Sequence, residues 1–185
     1  MSEQDIAAGP VRRDPPPRLS ELEVLVAHED IRQLAARYAL AVSQGDLDTV
    51  VDLFVEDVQV TREVRGRAAL REFLGAQVDA MPVSILLVAG HVINLLDADH
   101  AAGTVSCLCE MGREDRWVRQ AIAYRDRYER RDGRWYFVDR RHDLYYGVDV
   151  PERPVGQPDA HWPRSITGRG SVPYRWATWQ ALRNR

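Results

Sequence analysis

The order of two hydrophobic periodicities constrains the fold of this chain more than any other feature. Over residues 22–42, apolar side chains recur at three- and four-residue steps, the spacing of an amphipathic helix. After Pro82 the pattern changes to runs rich in β-branched and apolar residues separated by polar turns, and Asp132-Gly133 is the strongest hairpin signal. Helices followed by antiparallel strands predict an α+β fold with the helices packed on one face of the sheet.

Local signals predict where these elements begin and end. Ser20 and Glu23 have the spacing of a capping box at the start of the first helix, which has a possible break near residues 28–30. Gly45 offers a C-terminal stop, Asp46 an N-cap for a short second helix, and a third helix follows Gly66. The predicted strands span residues 58–60, 85–96, 104–111, 118–130 and 135–145.

Proline divides the chain into three parts. Residues 1–20 contain a Pro15-Pro16-Pro17 run that neither a helix interior nor a central strand accepts, so we expect a flexible arm. Residues 21–147 form the predicted domain. Residues 148–185 are proline-rich and predicted to be irregular, but they hold four aromatic side chains, Trp162, Tyr174, Trp176 and Trp179. Such side chains need burial, so this extension is expected to be a lid or a contact in a homo-oligomer, a dimer or trimer.

Composition excludes several classes of partner. The 25 basic and 28 acidic residues give a net charge of −3, so no field favours nucleic acid. The N-terminus lacks a basic, apolar signal segment, and the longest apolar run, residues 83–89, is too short to cross a bilayer, so we expect a cytoplasmic protein with no membrane partner. Cys107 and Cys109 have no second metal-ligand pair and are expected to be reduced core thiols.

Three segments carry a resemblance to a known family. They read IRQLAARYALAVSQGDLDTVVDLFVEDVQV, RGRAALREFL and AYRDRYERRDGRWYFVDRR. Over residues 25–145 the chain resembles SnoaL-like proteins of the NTF2-like superfamily, which include scytalone dehydratase, bile acid 7α-dehydratase, a hexachlorocyclohexane dehydrochlorinase and polyketide cyclases. The resemblance implies a cone-shaped fold, in which N-terminal helices pack on a strongly curved, mostly antiparallel sheet around a pocket for a small hydrophobic organic molecule.

The resemblance also implies catalytic residues. In the dehydratases and the dehydrochlorinase, a His on the first long strand is the base, an Asp at the end of the first helix orients it, and a Tyr five residues earlier polarises the substrate. The matching positions here are His91, Ser43 and Tyr38. A serine can fix the imidazole tautomer but cannot stabilise imidazolium as a carboxylate does. Three alternatives follow. A different carboxylate assists His91, with Asp126 the first candidate; the reaction needs less base strength; or the pocket binds a ligand without catalysing a reaction.

Strand alternation adds four candidate substrate-binding residues. Tyr124 and Asp126 share one face of their strand, and Arg140 and His142 share one face of the last strand. Arg140 and His142 could hold an anionic or carbonyl-bearing ligand, Arg140 through its planar donor fork. Each candidate also has a structural interpretation, such as core packing for His91 and Tyr38, a helix-end hydroxyl for Ser43, a cross-strand ion pair for Asp126, or surface charge for Arg140 and His142.

These patterns lead to a functional hypothesis. No glycine-rich phosphate loop, HExxH or GxSxG motif is present, so we predict no metal and no cofactor. We predict a cofactor-independent lyase or isomerase, dehydratase- or cyclase-like, that uses His-centred acid/base chemistry on a hydrophobic oxygenated small molecule. The alternatives are a non-catalytic small-molecule-binding protein of the same fold and a structural subunit of a larger oxygenase.

Overall fold

Three helices precede a four-stranded antiparallel sheet, which confirms the predicted α+β fold. The computed structural model describes residues 19–112, 115–161, 163–165, 167–173 and 175–183. The elements are α1 (Glu21–Gln44), α2 (Leu47–Asp52), α3 (Arg67–Ala80), β1 (Val83–Leu95), β2 (His100–Gly112), β3 (Trp117–Arg131), β4 (Arg134–Asp149), a 3-10 turn (Pro154–Gly156) and α4 (Ala177–Arg183). None of the helices in these described ranges has the length and apolarity needed to cross a membrane.

Helix α1 follows its sequence signals closely. Ser20 and Glu23 form the predicted capping box, which pairs backbone donors that would otherwise lack partners. The break considered near residues 28–30 is absent, because Ala27 and Ile31 continue the buried face of the helix without interruption. Gly45 ends the helix with φ at +66°, a conformation that glycine adopts without steric cost.

The sheet is a meander in the order β1-β2-β3-β4, so β1 and β4 form its edges. Register shifts interrupt the pairing of β1 with β2 at Ala89 of β1 and the pairing of β3 with β4 at Val138 and Tyr145 of β4, and such bulges bend strands and increase their twist. All four strands begin earlier than predicted, and β2, β3 and β4 also end later, because cross-strand pairing continues into residues of any polarity. The predicted strand at residues 58–60 is instead one isolated bridge between Gln59 and Arg65.

The core lies between α1 and the inner face of the sheet. Ile31 of α1, Val105 of β2 and Ile122 of β3 are fully buried in it. The segment after α2 joins the edge strand β4 through two backbone hydrogen bonds of Phe137, one with Leu53 and one with Val55. Helix α1 therefore covers the inner sheet face, which positions the candidate site.

The C-terminal extension docks on the domain instead of staying irregular throughout. Trp179 of α4 is buried with Val83 and Trp117, and its indole N–H donates to the carbonyl of Pro82 at 3.1 Å. A Cβ placed on Gly45 would come within 3.6 Å of Trp179, so α4 lies against the end of α1. Trp176 packs against the same cluster, whereas Trp162 and Tyr174 lie outside the described residues. A lid or oligomer role for this segment stays a prediction.

Candidate functional site

A cavity of about 380 Å³ lies between the helices and the inner sheet face. The second half of α1, helices α2 and α3, and the inner faces of all four strands contribute to its wall. Apolar lining residues include Val42, Val50, Leu74, Leu86, Met111 and Ile122. Asp46 is the single Asp, Glu, Lys or Arg among the described residues that line it, so the wall is close to uncharged.

The seven residues predicted from sequence fall into three groups. Tyr38, Tyr124 and His142 line the cavity. His91, Asp126 and Arg140 are joined in one hydrogen-bonded network on the inner sheet face but are not among the residues that line the cavity. Ser43 belongs to neither group.

Ser43 does not orient His91. Its hydroxyl donates to the carbonyl of Ala39 at 2.9 Å and accepts from the backbone N–H of Leu86 at 3.1 Å. The side chain thus fastens the last turn of α1 to β1. The physical reason is local, because a serine near a helix C-terminus readily bonds the carbonyl four residues earlier, which commits its proton there.

Asp126 and Arg140 form a cross-strand ion pair between β3 and β4, the structural alternative considered for Asp126. Arg140 donates from Nε to Oδ1 at 2.9 Å and from Nη2 to Oδ2 at 2.8 Å. The two side chains are 4% and 0% exposed. Burial alone would lower the pKa of Arg140, but the hydrogen bonds and charge of Asp126 raise it above its ordinary value. The donor fork predicted to hold an anionic ligand is therefore occupied by a carboxylate of the chain itself.

Three aromatic rings enclose the guanidinium of Arg140. Its Cζ lies 4.2 Å from the ring centres of Tyr38 and Phe137 and 4.3 Å from that of Tyr124. Burial raises the pKa of both tyrosines, while the positive charge of Arg140 opposes the rise. Both phenols are therefore protonated at neutral pH, and because both line the cavity they can donate hydrogen bonds to a ligand.

His91 lies across the sheet from this enclosure. Its Nε2 is 3.0 Å from the hydroxyl of Tyr128, which donates to Oδ2 of Asp126 at 2.7 Å. Burial lowers the pKa of His91 to about 4, although the charge of Asp126 opposes the shift. Its Nδ1 is buried without a hydrogen-bond partner among the described residues. The expectation that this ring faces the cavity is not met, because Nε2 turns along the sheet toward β3.

Gly103 of β2 makes the contact between His91 and Tyr128 possible. A Cβ at this position would lie 2.7 Å from the carbonyl of Val92, 3.1 Å from the ring of Tyr128 and 3.3 Å from Nε2 of His91. Contacts this short are closer than van der Waals separation. A side chain on the intervening strand would therefore separate the β1 and β3 residues.

Tyr128 is the residue that the list of candidates missed. It shares a strand face with Tyr124 and Asp126, so the alternation already placed it beside them. The distance to His91 had no sequence signal, because it depends on the register of two strand pairs and on the absence of a side chain at Gly103.

The remaining cavity groups define what chemistry is available. His142 is exposed at the cavity and its ring contacts that of Tyr124 edge-on, with centres 5.8 Å apart. Burial raises the pKa of the Cys109 thiol to about 11, so it is no thiolate nucleophile at neutral pH. Among the described residues, no group of three or more His, Cys, Asp or Glu side chains is placed to hold a metal ion.

Comparisons with known proteins agree with this architecture. A family model described as a SnoaL-like domain matches residues 23–141. A hexachlorocyclohexane dehydrochlorinase, LinA-type3 from Novosphingobium barchaimii, is 20% identical with a TM-score of 0.64, covering 72% of this chain and 97% of its own. A type 2 LinA dehydrochlorinase is 18% identical with a TM-score of 0.64, covering 72% and 95%.

An NTF2-like protein with a cystatin-like fold from Novosphingobium aromaticivorans is 22% identical with a TM-score of 0.55, covering 67% of this chain and 85% of its own. At these identities the three structures establish a shared fold. No protein with a curated description matches the chain.

Proposed function

The chain belongs to the SnoaL-like domain family, and from that premise we propose that it is a cofactor-independent lyase or isomerase acting on a small, uncharged, largely apolar molecule that carries an oxygen function. The observation that carries this proposal is the cavity wall, in which the phenols of Tyr38 and Tyr124 and the imidazole of His142 lie among largely apolar residues. The dehydrochlorinases of the same fold are elimination enzymes, which supports this class of reaction.

The charge of the wall argues for a neutral ligand. A volume of about 380 Å³ falls in the range of small-molecule sites. An anion buried there would have no cationic partner from Lys or Arg among the described lining residues, and an unpaired buried charge is costly. Arg140, the nearest guanidinium, is bonded to Asp126 and lies behind Tyr38 and Tyr124.

The chemistry follows from these groups. His142 removes a proton from the carbon next to a carbonyl, and the electron pair moves to the carbonyl oxygen, where Tyr38 and Tyr124 donate hydrogen bonds to the developing negative charge. The protonated His142 then returns the proton to another carbon, which isomerises the substrate, or to a departing β-hydroxyl, which leaves as water. Both routes are internally balanced and need no further reactant.

Proton exchange tests this proposal without knowledge of the natural substrate. The probe is 2-tetralone, a neutral bicyclic ketone, and the measurement is α-proton loss in D2O by NMR. We expect the protein to accelerate exchange, and Tyr38→Phe or His142→Gln to reduce the acceleration by about 10²-fold or more. Tyr145→Phe and His100→Gln are matched controls, because both side chains are exposed and neither lines the cavity. Full exchange in both cavity variants would contradict the assignment.

A non-catalytic binding protein is the second candidate, and two observations favour it. The hydroxyl of Ser43 is committed to backbone groups, and His91 does not line the cavity, so the dyad that the family resemblance implied is not assembled here. Saturable binding of 2-tetralone without accelerated exchange would support this candidate. A matched pair, 2-naphthol and 2-naphthoate, tests the neutral-ligand argument, which predicts weaker binding of the carboxylate.

A further inference from the structure

We infer that His91 is a positioning residue, an Nε2–H donor that anchors Tyr128 and through it the Asp126–Arg140 pair behind the cavity. The inference rests on the proposed function for its effect on turnover, but its structural part stands on the hydrogen-bond geometry alone. It gives this histidine a role different from that of the catalytic base.

The count of hydrogens on Tyr128 determines the direction of the bonds. Asp126 accepts two hydrogen bonds from Arg140 and is ionised, so it has no proton to give. Tyr128 must therefore donate its single O–H proton to Asp126. Its oxygen can then only accept from His91, which places the imidazole proton on Nε2 and leaves the lone pair on Nδ1.

The chain of bonds leads from His91 toward the cavity wall. His91 donates to Tyr128, Tyr128 donates to Asp126, and Asp126 holds Arg140 next to the rings of Tyr38 and Tyr124. These two tyrosines are the groups that face a ligand. A change at His91 is therefore transmitted to the donors of the site through the orientation of one ion pair.

A direct base role fits the same geometry poorly. Register places His91 and Tyr124 opposite the same residue of β2, Val105, from the strands on either side, so two strand spacings, about 10 Å, separate them. Val105 itself is fully buried between them. Tyr128 acts on His91 through its hydrogen bond, and Asp126, Arg140, Arg32 and His28 act on it through charge; none of these five residues lines the cavity.

A matched pair of substitutions separates positioning from base catalysis. The amide of His91→Gln carries an N–H group close to the place of Nε2 but cannot accept a proton, whereas His91→Ala removes both properties. We expect His91→Gln to keep 2-tetralone exchange within a few-fold of the unmodified protein, and His91→Ala and Tyr128→Phe to lose about tenfold. An equal loss in both His91 variants identifies a base, and no loss in either removes the positioning role.

A spectroscopic measurement decides the structural part independently of turnover. Side-chain ¹⁵N NMR at neutral pH is expected to show His91 protonated on Nε2 in the unmodified protein, and a mixture of tautomers in Tyr128→Phe. A proton on Nδ1, or an unchanged tautomer in Tyr128→Phe, would overturn the inference. If the unmodified protein exchanges no protons of 2-tetralone, the proposed chemistry fails while this measurement still tests His91.

Discussion

Removing the charge of Arg140 is expected to destabilise the protein strongly. Arg140→Met leaves the carboxylate of Asp126, which is fully buried, with Tyr128 as its one remaining side-chain donor among the described residues. Breaking a buried ion pair by removing one partner costs about 3–5 kcal/mol, because the other charge stays buried and uncompensated. Methionine keeps apolar contact with the rings of Tyr38, Tyr124 and Phe137, so most of this cost is electrostatic.

The double variant Asp126→Leu/Arg140→Met separates the two contributions. It removes both charges and leaves the hydroxyl of Tyr128 without its acceptor, which costs about 1–3 kcal/mol. Two independent losses would instead add to about 6–10 kcal/mol, a sum that few domains of this size survive. We therefore expect the double variant to be more stable than Arg140→Met.

Urea unfolding followed by circular dichroism measures these differences. The expected loss in Arg140→Met corresponds to a midpoint lower by about 2 M urea. Arg125→Met is the matched control, because Arg125 pairs with Asp143 across the same two strands but with side chains 64% and 46% exposed. An exposed pair contributes less than about 1 kcal/mol. A similar loss in both arginine variants, or additive losses in the double variant, would refute the argument from burial.

Three further predictions concern the same sheet. Burial lowers the pKa of His91 to about 4 in the folded protein, against about 6.5 in the unfolded chain. The free energy of unfolding should therefore fall by at most about 3 kcal/mol as pH drops from 6.5 to 4, because the unfolded chain binds a proton that the folded protein does not. In His91→Gln, thermal unfolding measured over the same pH range should show a smaller decrease. Gly103→Ala should cost about 1–3 kcal/mol in urea unfolding through overpacking, while Gly90→Ala, where a Cβ meets nothing within 4 Å, should cost little. Ser43→Ala should cost about 1–2 kcal/mol and speed hydrogen exchange of the Leu86 amide, which loses its acceptor; unchanged exchange would contradict this.

Much of the fold was predictable because its signals are local. The capping box at Ser20, the glycine stop at Gly45 and the hairpin at Asp132-Gly133 each depend on a few neighbouring residues, and the structure confirms all three. Strand ends were less predictable, since pairing with a neighbour extends a strand into residues of any polarity. Helix α4 had no signal, because so short a helix depends on contacts with distant parts of the chain, such as the burial of Trp179 and the bond from Thr178 to the carbonyl of Gln44.

The sequence indicated residues that the structure places at or near the cavity, but it did not indicate which groups those residues contact. Alternation predicted that Tyr124 and Asp126 share one strand face and that Arg140 and His142 share another, and it left open which faces turn inward; in the structure Asp126 and Arg140 are buried and Tyr124 lines the cavity. The assignments that needed a distance between separate elements were weaker, as with Ser43, whose hydroxyl bonds Leu86 instead of His91. Sequence alternation gives the face of a side chain, whereas the bulges in β1 and β4 decide which neighbour it reaches.

The docking of α4 has a consequence for the transfer of ligand preferences between relatives. The family match ends at residue 141, whereas Trp179 binds Pro82 and lies against Gly45, two residues that border the cavity. Part of the boundary of the binding space thus depends on chain outside the shared domain. Relatives that diverge after β4 are expected to admit molecules of different shape, even when their helices and strands superimpose well on those of this protein.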